Sequence, residues 1–175
     1  MEYVVVATRV VMAVVFVAAL ASKVRGRPSF KAFVRSVRPW VSARRAPAVA
    51  LFVVAAESLC VVLLVLPGAG GAGLAAAAAV LVGFTAAIGR AISTRRAATC
   101  RCFGSSERPL TMIHVVRNGL LLTLALCGLA ANANGSPAVS HDAGLLIAAS
   151  TGVATALILM RLDDVVDLLR PGRAW

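Results

Sequence analysis

Charge is scarce in this chain, and most of what exists has one sign. Only 14% of the 175 residues are charged, against about 25% in a soluble domain. Acidic side chains number 7, against 18 Lys and Arg. An ordinary soluble fold is excluded, because hydrophobic residues make up 60% of the chain and fall in long, nearly charge-free blocks rather than in alternating or striped patterns. Cysteine is sparse too. Of 4 in all, Cys60 and Cys127 lie inside apolar blocks, which excludes a disulfide-dense secreted framework. The Gly-rich turn 67–73 lacks the Lys and Ser/Thr of a phosphate loop, so nothing marks a nucleotide site. Met1-Glu2 offers no basic leader region. The first apolar block is therefore expected to stay as an anchor, despite the cleavage-like Ala19-Leu20-Ala21.

The net charge of +11 would suit a nucleic-acid binder. The basic residues, however, lie in the connections between apolar blocks, where they orient a membrane protein and meet anionic headgroups. A lipid bilayer is the expected partner, and nucleic acid is not. Five blocks approach the roughly 20 residues that a membrane-crossing helix needs: 3–22, 46–66, 73–92, 112–131 and 143–160. Arg9 interrupts the first, close enough to its end to snorkel to the interface. Between the first two, Phe30, Phe33, Val34, Val37, Trp40 and Val41 recur at helical spacing, with Lys31, Arg35 and Arg38 on the other face. This pattern predicts an amphipathic helix over 29–41 lying in the interface, with Pro39 as a break. The fold expected is all-α: a polytopic transmembrane bundle of four to five spans plus one interfacial helix, forming a single membrane domain over 1–175.

The turns at 67–73 and 132–142 carry no Lys or Arg, whereas 23–45, 93–111 and the tail are basic. The positive-inside rule therefore puts the N-terminus outside, with the basic connections and the C-terminus in the cytoplasm. The expected location is the cell membrane.

Reactive chemistry concentrates in the connection 93–111, which holds Cys100-Arg101-Cys102-Phe103-Gly104. Two thiols one residue apart close a small, strained ring, and strain makes a disulfide labile. Arg101 and the neighbouring Arg95, Arg96 and Arg108 favour thiolate. The preferred reading is thiol–disulfide exchange by Cys100 and Cys102, with Phe103 and Gly104 shaping the turn. Chelation of a soft metal ion and inert loop cysteines are the other two readings. No cofactor is expected and no metal site is assigned. Glu57, near the middle of the second span, needs a partner or a proton. Arg117, which also lies within a span, is the expected partner, fixing the second and fourth spans. Asn118 adds interhelical hydrogen bonding, and His114 is read as a polar residue near the interface. Cys60 and Cys127 lie at matching depths, each about fourteen residues into its span, and are weighed as a second dithiol against ordinary core cysteines.

Cys100-Arg101-Cys102-Phe103-Gly104, followed by Arg117-Asn118 opening the next span, resembles the MauE family within a wider MauE/DoxX-like group. Lys23 closing the first span in Ala21-Ser22-Lys23, Pro39 after a Phe-containing segment, and Glu57 agree with that resemblance. Arg101 and Ile113-His114 are this chain's departures from the pattern. The resemblance implies a redox-associated membrane protein of four to five spans. In the namesake system it implies maturation of the disulfide-rich small subunit of methylamine dehydrogenase. A disulfide-bearing client protein follows as expected partner, with a thioredoxin-like protein or a quinone as electron partner. Two other classes stay open: a non-enzymatic membrane scaffold or chaperone, and a small-solute or metal-ion carrier using Glu57.

Overall fold

The computed structural model describes residues 1–93, 112–135 and 141–162. These form six helices: α1 (Glu2–Val24), α2 (Arg27–Val37), α3 (Ala46–Val65), α4 (Gly70–Ser93), α5 (Met112–Ala133) and α6 (Asp142–Met160). Five of them, all but α2, are long and apolar enough to cross a membrane. With no water to satisfy the backbone in lipid, a helix that closes its own hydrogen bonds is the form such segments adopt. The chain is thus an all-helical, multi-pass membrane bundle. Its outer surface carries exposed Leu51, Phe52, Leu59 and Val62 on α3, and Leu146, Ile147, Leu157 and Ile158 on α6. Water would penalise so much contiguous apolar surface, whereas lipid does not.

The helix α1 is the hub. It packs against α3, α5 and α6, and more lightly against α2 and α4, while α4 closes the ring by packing against α3 and α5. Its buried stripe of Val11, Met12, Val15 and Phe16 meets Cys60 and Leu64 of α3, Leu74 and Leu81 of α4, and Leu121 and Ala125 of α5. Close approach needs small residues. A Cβ added at Gly152 of α6 would stand 2.7 Å from the Ala7 carbonyl oxygen and 2.9 Å from Val10 Cβ of α1. On the opposite side of α1, Gly128 of α5 faces Thr8.

Proline and glycine set the helix boundaries. Pro67 forces Leu66 out of the helical region, to φ −62° and ψ 130°, and α3 ends there. Gly68 then takes φ 78°, a conformation that favours glycine, and the chain reverses into α4. The carbonyls orphaned at this end of α3 are capped by an unexpected donor. Arg9 Nε and Nη2 donate to the Leu64 oxygen at 3.0 and 2.6 Å, and Nη2 reaches the Leu66 oxygen at 3.1 Å. Arg9 thus reaches the end of the span, as expected of it, and there locks α1 to the end of α3.

The amphipathic segment differs from expectation in extent. The helix covers Arg27–Val37 rather than 29–41, because Pro39 has no N–H with which to continue the ladder. Ala32 and Phe33 are buried, and α2 packs against α1 and α3. Lys31 and Arg35 on the helix, and Arg38 at its C-cap, are exposed. The helix is therefore a cap on one end of the bundle.

Candidate functional site

Chain direction brings Lys23, Glu57, Arg117 and Asn118 toward one end of the bundle. α1 ends there, α2 covers it, α3 starts there, α4 ends there at Ser93, and α5 starts there at Met112. Within it, Lys23 Nζ donates to Glu57 Oε1 at 2.7 Å, to Oε2 at 3.0 Å and to the Ala19 carbonyl oxygen at 3.2 Å. Both side chains are 1% exposed. The Phe33 ring of α2 lies over the ammonium, 5.2 Å from Nζ to the ring centroid. The pair thus has three polar contacts and an aromatic lid. Such completion is what makes a buried ion pair tolerable, since removing two charges from water costs several kcal/mol per ion.

The partner of Glu57 is Lys23, not Arg117. The reason lies in the direction of the Cα–Cβ bond, which tilts toward the N-terminus of its helix. In α1, whose C-terminal end is at this face, Lys23 leans inward, back toward Ala19. In α3, which runs the other way, Glu57 leans toward the face and toward Lys23. The Arg117 side chain of α5 leans toward the face too, away from the deeper Glu57. Depth counted along helix axes alone omits this tilt. The readable signal was the Lys in the last turn of the first span, one turn inside the basic segment.

Arg117 and Asn118 are nonetheless buried, each 3% exposed. Arg117 Nη2 lies 3.5 Å from His114 Nδ1, one turn earlier on α5. Asn118 faces the bundle interior. It lines a small, almost wholly apolar cavity of about 10 Å³ together with Glu57, Val15, Phe16, Ala19, Leu81 and Phe84.

Cys60 and Cys127 do not form a second dithiol. Both are free; Cys60 is buried in the core one turn beyond Glu57, and Cys127 is exposed on the outer face of α5. Matching depth does not give matching azimuth around the bundle. Cys100, Cys102, Phe103 and Gly104 lie outside the described residues, between the ends of α4 and α5. Among the described residues, no group of three or more His, Cys, Asp or Glu is placed to hold a metal ion.

The family model described as "Methylamine utilisation protein MauE" matches residues 1–131. No curated protein and no solved structure matches the chain. The match takes in α1 to α4, the dithiol connection and nearly all of α5, with Lys23, Glu57, Arg117 and Asn118 inside it. The chain belongs to the MauE family of membrane proteins linked to methylamine utilisation.

Proposed function

We propose that this membrane protein is a thiol–disulfide exchange factor serving protein maturation in methylamine utilisation, with Cys100 and Cys102 as the exchanging pair. One observation carries the proposal. The helices that flank the dithiol, α4 and α5, end and begin at the same face as the buried Lys23–Glu57 pair and its α2 cap. A dithiol carried between two helix ends needs rigid flanking elements to meet a client in a reproducible geometry. Lys23, Glu57, Arg117 and Asn118 supply that rigidity, and Phe103-Gly104 shapes the turn.

In the oxidising direction, a client thiolate attacks one sulfur of the Cys100–Cys102 disulfide and forms a mixed disulfide. The second client thiolate then breaks that bond. The client gains a disulfide, and Cys100 and Cys102 leave with two electrons and two protons. A thioredoxin-like protein or a quinone takes both on reoxidation. The labile ring of C-x-C and the basic residues around it favour exchange over storage. The carrier reading has less support, because both oxygens of Glu57 are engaged by Lys23.

We place the protein in the cell membrane, with its basic connections cytoplasmic by the positive-inside rule. Trapping tests the exchange. Cys100→Ser or Cys102→Ser should accumulate a mixed disulfide with a client, visible on non-reducing gels. A double Ser variant with full maturation activity would sink the proposal and leave a scaffold. An impermeant maleimide applied to intact cells, in a Cys60→Ala, Cys127→Ala background, should label only after lysis. Labelling before lysis would reverse the topology.

A further inference from the structure

We propose that the outer face of α2 binds the headgroups of anionic phospholipids, and that this binding holds the Phe33 lid closed over the Lys23–Glu57 pair. No acidic residue lies between Glu2 and Glu57. Arg27, Lys31, Arg35 and Arg38 recur three or four residues apart and so share one stripe, opposite the side that buries Ala32 and Phe33. All four are exposed, and among the described residues no ion pair engages any of them. Exposed Arg25 directly follows α1, and exposed Arg44 and Arg45 directly precede α3. Because α1 and α3 are long and apolar enough to cross a membrane, these three mark headgroup depth. Packed against both helices, α2 lies at that level. Half-buried Trp40, just past its C-cap, is a residue type that settles at the bilayer interface.

The charge pattern calls for an anion, and the location selects it. Like charges four residues apart destabilise a helix, and an isolated helix as short as the 11 residues of α2 is marginal in water. The stripe is an internal cost that external anions remove. The headgroup layer surrounds the bundle at this depth, and an anionic leaflet attracts each nearby Lys or Arg. An acidic protein would meet the stripe from the water and leave Arg25, Arg44 and Arg45 unmatched at the membrane surface. The stripe exists only while α2 is helical and seated, so headgroups that bind it favour the seated state over the open one. Seated, α2 holds the Phe33 ring centroid 5.2 Å from Lys23 Nζ. Lipid charge at the surface thereby stabilises a contact in the bundle interior.

Lipid nanodiscs test this on the full chain carrying Cys100→Ser, Cys102→Ser and Cys127→Ser, which leave Cys60, one turn from Glu57, as the reporting thiol. A neutral maleimide then reads opening of the lid. Discs of phosphatidylglycerol should slow alkylation at least about fivefold relative to phosphatidylcholine, the factor for one cation's attraction to an anionic surface. Native mass spectrometry should find phosphatidylglycerol retained on the protein. Lys31→Gln with Arg35→Gln, both on the exposed stripe, should lose most of the slowing and of the retained lipid. Lys31→Arg with Arg35→Lys should keep both. Phe33→Ala should retain the lipid yet alkylate at one fast rate in either disc. Equal rates for the unaltered stripe in the two discs, or slowing undiminished in the Gln pair, would overturn the proposal. Polyglutamate added to phosphatidylcholine discs should leave the rate unchanged. Equal slowing there would assign the surface to an acidic protein and overturn the lipid. Thiol exchange plays no part in this variant, so the outcome is independent of the redox proposal.

Discussion

Replacing Lys23 by Met leaves the Glu57 carboxylate without its cation at a position with 0% exposure. The loss is worked from the contacts. Two charge-assisted bonds at 2.7 and 3.0 Å disappear together, and the remaining carboxylate faces apolar walls. Removing one member of a buried pair costs about 3–5 kcal/mol. For a chain of this size each kcal/mol moves the melting temperature by about 2–4 °C, so a fall of about 6–20 °C is expected. Cys60 provides the assay. It is 1% exposed and sits one turn from Glu57, so a thiol-reactive fluorophore reports unfolding in a variant whose other cysteines are Ser. Glu57→Gln should cost a similar amount. Lys23→Met with Glu57→Leu should recover most of the loss, because an apolar pair of similar volume replaces a buried ion pair with little penalty. The cycle then yields a coupling energy well above the roughly 0.5 kcal/mol scatter of independent sites. A Lys23→Met variant that melts with the wild type would refute the reasoning. So would a stronger coupling of Glu57 to Arg117 than to Lys23.

Other perturbations follow from the same contacts. Arg9→Met strands the Leu64 and Leu66 carbonyls and should cost about 1–3 kcal/mol, read by the same melt. Gly152→Val drives a side chain against Ala7 and Val10. Overpacking of about 1–3 kcal/mol is expected, with α6 becoming the first segment cut in limited proteolysis. Phe33→Ala uncovers Lys23 and should speed alkylation of Cys60, while Phe52→Ala on the outer face of α3 should not. Oxidative cross-linking should produce no Cys60–Cys127 disulfide, since one thiol is buried and the other faces outward.

The spans were legible because lipid imposes the simplest pattern a sequence can carry: runs without charge, interrupted by basic connections. Glu57 announced itself for the same reason, as a carboxylate where none is cheap. Its partner did not. Lys23 sits at the end of an apolar run, where a Lys ordinarily snorkels to water, and only the opposed tilt of side chains on antiparallel helices turns it inward. Arg117 looked better placed because its position falls within a span, yet its helix points it the other way. The azimuth of Cys127 was hidden likewise, since a helix with apolar residues all round gives no periodic signal for which face meets lipid. The cap formed by α2 was half legible: its two faces were visible, but not that Phe33 would close over Lys23.

The separation of Lys23 and Glu57 along the chain bears on how the bundle is made. They lie 34 residues apart, about 2–7 s of synthesis at about 5–20 residues per second. For that interval α1 carries an unmatched ammonium, and a charge placed in the bilayer is costly. Arrival of α3 supplies the carboxylate that removes the penalty, so early pairing of these two helices is the expected order, to be read from protease protection of chains stalled before and after Glu57. The hub of the finished bundle is thus also its template, so that errors in biogenesis should trace to the first two spans to be made.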